Sequence, residues 1–326
     1  MMKHYLYKME FLTPVRFGGD RAGAVLAQSR MACHADTLFS AICQEWINVY
    51  GVQGCGELIE AAQSGLFLLS DLFPWSGQEL YLPKPAIPPY IKQDGEEEGK
   101  TDKKSLKKLD YIPASKFRAY LGFLRRGGEL PWLQEQESFA YETLLYRAKT
   151  AREEETMPYP VSAYCFRKNS GLYFILGVSE EWRVRLDKVM ESLGLSGIGG
   201  KKSSGLGKFV LVKDSFETGL YDSDCILDEL LTEEVGLYMS LSVLAPAKDE
   251  LSIVKQDNSY YTLVGRTGFV ASQTYAAAQL KRKPVVMFAA GACFPERIKG
   301  QVLDVSDRGG HPVYRYGKGM YLGVKI

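Results

Sequence analysis

Hydrophobic and polar positions change period several times along the chain, and each change predicts an element. The opening stretch, MMKHYLYKMEFLTPVRF, alternates, and residues 5–12 read as a first strand. A loop rich in glycine and arginine, TPVRFGGDRAG, follows. In HADTLFSAICQEWINVYG, Leu38, Ile42, Trp46 and Val49 recur at helical spacing, and Phe39, Cys43 and Tyr50 widen that face. Asp36 is placed to cap this helix and Gly51 to stop it. LFLLSDLFPW and LYLPKP predict short strands that end in prolines. Residues 160–178 predict a hairpin that turns at Asn169–Gly171. SEEWRVRLDKVMESLG then predicts a helix, with Ser179 at its start and Glu180 and Glu181 suited to its positive end. Trp182, Leu186, Val189 and Leu193 share its apolar face. KFVLVKD predicts a strand after it.

Residues 86–158 break this rhythm. They hold QDGEEEGKTDKKSLKKLD, SKFRAYLGFLRRGG and RAKTAREEETMPYP, which read as an insertion made of a charged loop, a short helix and a polar exit. With the insertion removed, residues 1–214 give the order βαββαβ, the ferredoxin-like order shared by RNA-recognition domains. The remainder, 215–326, is strand-rich in VGLYMSLSVL, YYTLVGRTGFV, PVVMFAAGACF and PVYRYGKGMYLGV. It reads as a second, degenerate ferredoxin-like unit. The expected fold class is therefore α+β, with two ferredoxin-like units.

Between the second helix and the strand that follows lies GIGGKKSSGLGK, residues 197–208, with five glycines, three lysines and two serines. It is not a nucleotide-binding P-loop. Gly200–Lys201 leads to Lys202 rather than Ser or Thr, Lys202–Ser203 is preceded by Lys201 rather than glycine, and the loop runs from helix to strand. The dinucleotide fingerprint fails as well, because Gly197 and Gly199 lead to Lys202. What remains is symmetrical: Gly197-Ile198-Gly199, five residues, then Gly205-Leu206-Gly207. Ile198 and Leu206 can anchor the loop while GKKSS projects outward. Glycines there allow positive φ and close approach of another backbone. Two ammonium groups, two hydroxyls and exposed N–H groups would then suit a polyanion backbone. By spacing alone, a long β-turn with ordinary surface lysines fits equally.

Composition narrows the picture without deciding it. The 326 residues allow about two domains. The net charge of +1 excludes a wholly basic nucleic-acid coat, so any polyanion site is a local patch. The six cysteines, at 33, 43, 55, 165, 225 and 293, form no C-x-x-C pair and read as thiols in a reducing compartment. No apolar run approaches the length of a membrane span, and the start lacks the unbroken apolar core of a signal peptide. The chain reads as cytoplasmic, with no metal and no cofactor expected.

The pattern G-h-G-x5-G-h-G with lysine inside the x5 is similar to the glycine-rich loop of the RAMP superfamily of CRISPR proteins. TPVRFGG, HADTLFSAI, GRTGFV and GGHPVYRYG narrow the match. Together these segments resemble the RAMP subunit that caps the 5′ end of the guide RNA in type III-A (Csm) effector complexes. They are spread from residue 13 to residue 317, so the resemblance covers most of the chain.

The resemblance implies a binding subunit rather than an enzyme. It would hold the repeat-derived 5′ handle of the crRNA and dock on the large multidomain subunit and the backbone RAMP subunits. It implies that Gly197, Gly199, Gly200, Lys201, Lys202, Ser203, Ser204, Gly205 and Gly207 form the handle-binding loop. Arg16, Gly18, Gly19 and Arg21 would face the same RNA. Arg266 and Gly268 would be the second unit's contribution, and His311, Tyr314 and Arg315 would stack on or hydrogen-bond bases. The insertion corresponds to the thumb that RAMP backbone subunits extend toward the guide–target duplex. Its Lys103, Lys104, Lys107, Lys108, Arg125 and Arg126 would touch phosphates, and the thumb could meet target RNA.

Two rivals come from the same superfamily. A metal-independent endoribonuclease that processes precursor crRNA needs a histidine acid or base. His4, His34 and His311 are the candidates, and His34 precedes the first helix, close to where those nucleases carry theirs. A metal-dependent subunit that cleaves target RNA needs an aspartate at the thumb base. Asp20, Asp36 and Asp110 lack paired carboxylates at metal-ligand spacing.

Overall fold

The computed structural model describes residues 2–18, 26–89, 103–134, 138–148, 158–212, 222–272 and 274–326. The chain is α+β with antiparallel sheets. Its main sheet is built from β1 (Lys3–Phe11), β2 (Leu68–Leu69), β3 (Phe73–Ser76), β4 (Glu79–Pro83), β5 (Tyr111–Pro113), β8 (Ser170–Val178) and β9 (Phe209–Leu211). The strand order is β5-β4-β3-β8-β1-β9, and β2 also pairs with β8. β1 lies against β8 from Lys3↔Val178 to Met9↔Leu172, and β9 joins its far end at Phe11↔Phe209.

Alternation decides what each face of this sheet covers. Tyr5, Tyr7 and Met9 of β1, with Phe174 and Leu176 of β8, point to one core. The helices α1 (Ala35–Gln63) and α4 (Glu180–Ser196) close that core with Leu38, Ile42, Trp46, Leu186, Val189 and Leu193. Leu6, Tyr173 and Ile175 point to the other face. There they meet α3 (Ala114–Arg126) and α5 (Asp222–Thr232) through Phe117, Tyr120, Leu121, Leu227 and Leu230. β8 is buried at all nine positions, because both faces of the sheet are covered. Bases therefore cannot stack on the open sheet as they do on an RNA-recognition domain.

Several elements differ from their sequence expectation. Gly51 does not stop α1. It takes φ 74° and ψ 179°, and the helix resumes because Cys55, Leu58, Ala61 and Ala62 supply a second buried face. Val49, expected on the buried face, lies just before this break and is exposed. His34, not Asp36, occupies the N-cap of α1, and Ser179 caps α4 by position without a side-chain bond.

The hairpin expected over 160–178 is shifted by one strand. β7 (Pro158–Phe166) turns away from β8 and pairs with β6 (Ala140–Ala148), in register from Ala140↔Phe166 to Ala148↔Pro158. The insertion is also more ordered than its composition predicts. The short α2 (Lys103–Lys108) is followed by β5 and α3, and Ile112, Phe117, Leu124, Leu130 and Leu133 sit in the second core. The charged stretch 90–102 lies outside the described residues.

After α5, a three-stranded sheet orders β13 (Cys293–Phe294), β10 (Tyr238–Ser240) and β16 (Tyr321–Gly323). Two ribbons accompany it: β11 (Leu263–Arg266) with β12 (Val285–Phe288), and β14 (Leu303–Asp304) with β15 (Tyr314–Arg315). The described elements of this half do not run in the βαββαβ order expected of a second unit. Nor does the core divide near residue 214. Val243, Val264, Met287 and Tyr316 complete the first core, and Met239, Cys293 and Leu322 complete the second. All six cysteines are free thiols.

Candidate nucleic-acid interface

The helix α4 ends because Gly197 turns to φ 84°, with its N–H donated to the Leu193 carbonyl at 2.7 Å. The loop then crosses itself. Ile198 N–H donates to the Gly207 carbonyl at 2.9 Å, and Ile198 and Leu206 are both buried. The loop is also pinned to the segment after β1. Gly200 N–H donates to the Arg16 carbonyl at 2.7 Å and Gly207 N–H to the Pro14 carbonyl at 2.8 Å. Between these pins, Lys201 is left-handed at φ 63° and Lys202–Ser204 form one 3-10 turn. The two apolar anchors and the projecting GKKSS thus stand as the spacing predicts.

The glycines serve a different partner from the one expected. A Cβ on Gly199 would lie 2.4 Å from the Arg16 carbonyl oxygen, and one on Gly207 only 2.0 Å from that of Ile198. The backbone that approaches them is the protein's own. The N–H groups of Gly200, Ser204, Gly205 and Gly207 are likewise taken by protein carbonyls. What the loop turns outward is side-chain chemistry: half-buried Lys201 and Lys202 and exposed Ser203 and Ser204. The Lys201 ammonium sits 5.4 Å above the Tyr159 ring of β7, which holds it at the loop's edge.

Arg16 lies beneath this loop and is only 7% exposed. Its guanidinium runs between Gly18 and Gly200, where Cβ atoms would come within 3.9 Å and 3.4 Å of it. One terminal nitrogen donates to the Gln28 carbonyl at 3.2 Å, and Nε has no partner. Among the described residues no carboxylate pairs with it. Burial pulls its pKa below the ordinary arginine value. A buried cation without a counter-charge is costly, so this site favours an incoming anion. Gly19 and Arg21 lie outside the described residues.

The remaining candidates are committed inside the protein. Arg266 grips Asp36 with two nitrogens, at 3.0 and 2.8 Å, and donates to Thr37 Oγ1 at 2.9 Å. Arg315 donates to the same carboxylate from the other side. Burial pushes the Asp36 carboxyl up, but the charges of Arg266 and Arg315 overcome it, and its pKa lies below the ordinary value. Both arginines are buried and already share the Asp36 carboxylate, so their charge is answered inside the protein rather than by RNA. His311 has both ring nitrogens engaged, Nε2 with Ser272 Oγ and Nδ1 with the Pro312 carbonyl, each at 2.9 Å. Tyr314 and Gly268 are half-buried.

His34 is fixed by a residue that the sequence reading passed over. Asp71, from LLSDLFPW, binds His34 Nδ1 at 2.6 Å and accepts from the N–H groups of Ala35 at 2.7 Å and Val243 at 2.9 Å. Nothing local in the sequence marks Asp71, because its partners come from two distant segments, His34–Ala35 and Val243. Among the described residues no group of three or more His, Cys, Asp or Glu is placed to hold a metal ion. No helix among them is long and apolar enough to cross a membrane.

Residues 233–324 match the family described as the CRISPR Csm4 C-terminal domain. Over 302 residues, 92% of each chain, the protein is 31% identical to the CRISPR system Cms protein Csm4 of Mycobacterium tuberculosis H37Rv. It is 27% identical to the protein of the same name from Streptococcus thermophilus, over the whole of both chains. Among solved structures, it resembles a chain of the Csm3–Csm4 subcomplex of the type III-A CRISPR-Cas interference complex. The TM-score is 0.64 at 18% identity, over 99% of both chains. A chain of the Csm1–Csm4 cassette in complex with pppApA gives 0.63 at 21% identity, over 100% of this chain and 99% of that one.

Proposed function

The chain belongs to the Csm4 family, RAMP subunits of type III-A CRISPR complexes, and from that membership we propose that it is a non-catalytic subunit holding the 5′ handle of a crRNA. The observation that carries this reading is the pairing of buried Arg16, which meets no carboxylate among the described residues, with the outward Lys201, Lys202, Ser203 and Ser204. Phosphate oxygens satisfy such donors without requiring a particular base. The strand order β9-β1-β8-β3 supports a ferredoxin-like reading of the first half, with the glycine loop beside its edge strand β9. The second half is a strand-rich appendage that shares both cores.

Relatives in this family occur with Csm1 and with Csm3 in the complexes named above. The same two kinds of partner, a large multidomain subunit and a backbone RAMP subunit, are assigned to this chain. The β6–β7 ribbon takes the place of the thumb. Tyr141, Leu144 and Tyr146 are exposed along it, where they could meet guide or target RNA.

A paired assay with labelled repeat-derived RNA tests the reading, following binding and cleavage together in EDTA and then in magnesium. Binding without cleavage in both conditions is expected. Cleavage in EDTA that His34→Ala abolishes would make the protein a processing nuclease instead.

A further inference from the structure

The first limb of α1 ends at Gly51, and the second limb bends against it. Gly51 holds φ 74° and ψ 179° inside the helix. Gly54 then lies so close to the first limb that a Cβ there would stand 2.7 Å from the Tyr50 Cβ and 3.5 Å from Trp46 Nε1. One residue of α4 holds both limbs. The Arg185 guanidinium lies 5.2 Å from the Trp46 ring and 5.0 Å from the Tyr50 ring, both on the first limb. It also pairs with Glu57 of the second limb at 2.9 Å. The break is a packed hinge.

Two thiols meet across this hinge. In an unbroken helix, residues twelve apart are separated by about 18 Å along the axis. Cys43 and Cys55 have that separation in sequence, yet the Cys43 S–H donates a hydrogen bond to the Cys55 sulfur. Only the bend at Gly51 allows this. Cys55 is buried in the first core, and Cys43 is half-buried against it. The shared hydrogen bond raises the Cys43 thiol and lowers the Cys55 thiol from the ordinary cysteine value. The thiolate is the reactive form, so Cys55 is the nucleophile of the pair. The other four cysteines are placed differently. Burial pushes the Cys33 and Cys293 thiols up and keeps them protonated. Cys165 of β7 and Cys225 of α5 sit on separate elements.

We propose that Cys43 and Cys55 are a redox-sensitive pair that closes to a disulfide across the Gly51 break and locks the two limbs of α1 together. The oxidant is a low-molecular-weight disulfide. The Cys55 thiolate attacks one of its sulfurs, and the small S–S bond breaks to release a first thiolate. That thiolate takes the Cys43 proton. The Cys43 thiolate then attacks the Cys55 sulfur, forming the Cys43–Cys55 bond and releasing a second small thiolate, which takes up the proton that Cys55 gave up. Two protein thiols are oxidised, and one small disulfide is reduced to two thiols. In a reducing compartment the pair stands open, and a rise in small disulfides closes it. The lock fixes α1 against α4, whose far end leads into the glycine loop.

The test treats the folded full-length protein with excess hydroxyethyl disulfide, then blocks remaining thiols with iodoacetamide. Cleavage after Glu45 separates the two cysteines, so a disulfide between them appears as a linked pair of peptides. Wild-type protein should lose the mass of two hydrogens and give this linked pair, and dithiothreitol should reverse both. Hydrogen exchange of the amides from Tyr50 to Gly54 should slow in the oxidised form. Cys43→Ser should stop at the mixed disulfide on Cys55 and give no linked pair. A wild-type protein that carries only the small adduct, a link that forms only in urea, or a link that survives Cys43→Ser would overturn the pairing. A link that leaves hydrogen exchange at the hinge unchanged would overturn the lock.

Discussion

Asp36 gives the sharpest test of how the two halves of the chain are joined. Its carboxylate is 1% exposed and is shared by Arg266 and Arg315, from segments 230 and 279 residues away. Asp36→Asn would take the shared carboxylate away from two buried guanidinium groups. Breaking a buried ion pair from one side costs about 3–5 kcal/mol, and both arginines lose the same carboxylate here, so the upper part of that range is expected. Urea unfolding at pH 7, with the midpoint shift multiplied by the slope, reads this directly. The combined variant Asp36→Leu, Arg266→Met, Arg315→Met should recover most of the loss, since an apolar set needs no counter-charge.

The pH dependence of the same variant has a definite sign. The folded pKa of Asp36 lies below the unfolded value, so its stabilisation is present above about pH 3.9 and is lost as pH falls through the folded pKa. The penalty of Asp36→Asn should therefore shrink in strong acid. A penalty under 1 kcal/mol at pH 7, or no recovery in the combined variant, would refute the account of the triad.

Other predictions concern the loop and the histidines. Gly205→Ala meets no atom within 4 Å and should cost only its positive φ, about 1–2 kcal/mol. Gly207→Ala collides with the Ile198 carbonyl and should cost at least about 3 kcal/mol by displacing buried Ile198; equal midpoints in urea would contradict this. His4 on β1 has its pKa lowered by burial, so stability should fall as pH drops from about 6.5. His4→Gln should flatten that part of the stability profile in pH-dependent melts. His34→Ala should leave RNA intact in EDTA, as wild type does, while lowering the melting temperature through loss of the Asp71 bond.

Much of the first half was legible in the sequence because burial there follows one simple period per element. α1 and α4 carry their apolar faces at helical spacing, and β8 reads as a continuous apolar run because helices cover both faces of its sheet. What was not legible depends on contacts between distant segments. β7 looked like the partner of β8, yet its partner β6 lies across a stretch whose composition suggested a polar exit. Asp36 looked like a helix cap, and Arg266 and Arg315 looked like RNA ligands. No local pattern announces that the three meet in the core. The glycine loop was placed correctly between α4 and β9, but its glycines answer to the protein's own carbonyls. Arg16 is the residue whose importance grew: from one arginine in a loop it became the buried cation beneath the lysines.

The most direct measurement is the salt dependence of handle-RNA affinity for the wild type, Lys201→Ala/Lys202→Ala and Arg16→Met. If the lysines meet phosphates, the double variant should bind more weakly, and its slope of log K against log salt should be shallower by about 0.7 per lost contact, roughly 1.4 in all. Arg16→Met should lose about 0.7 of slope on its own. Affinity and slope unchanged in both variants would contradict the assignment of this loop as the RNA cradle.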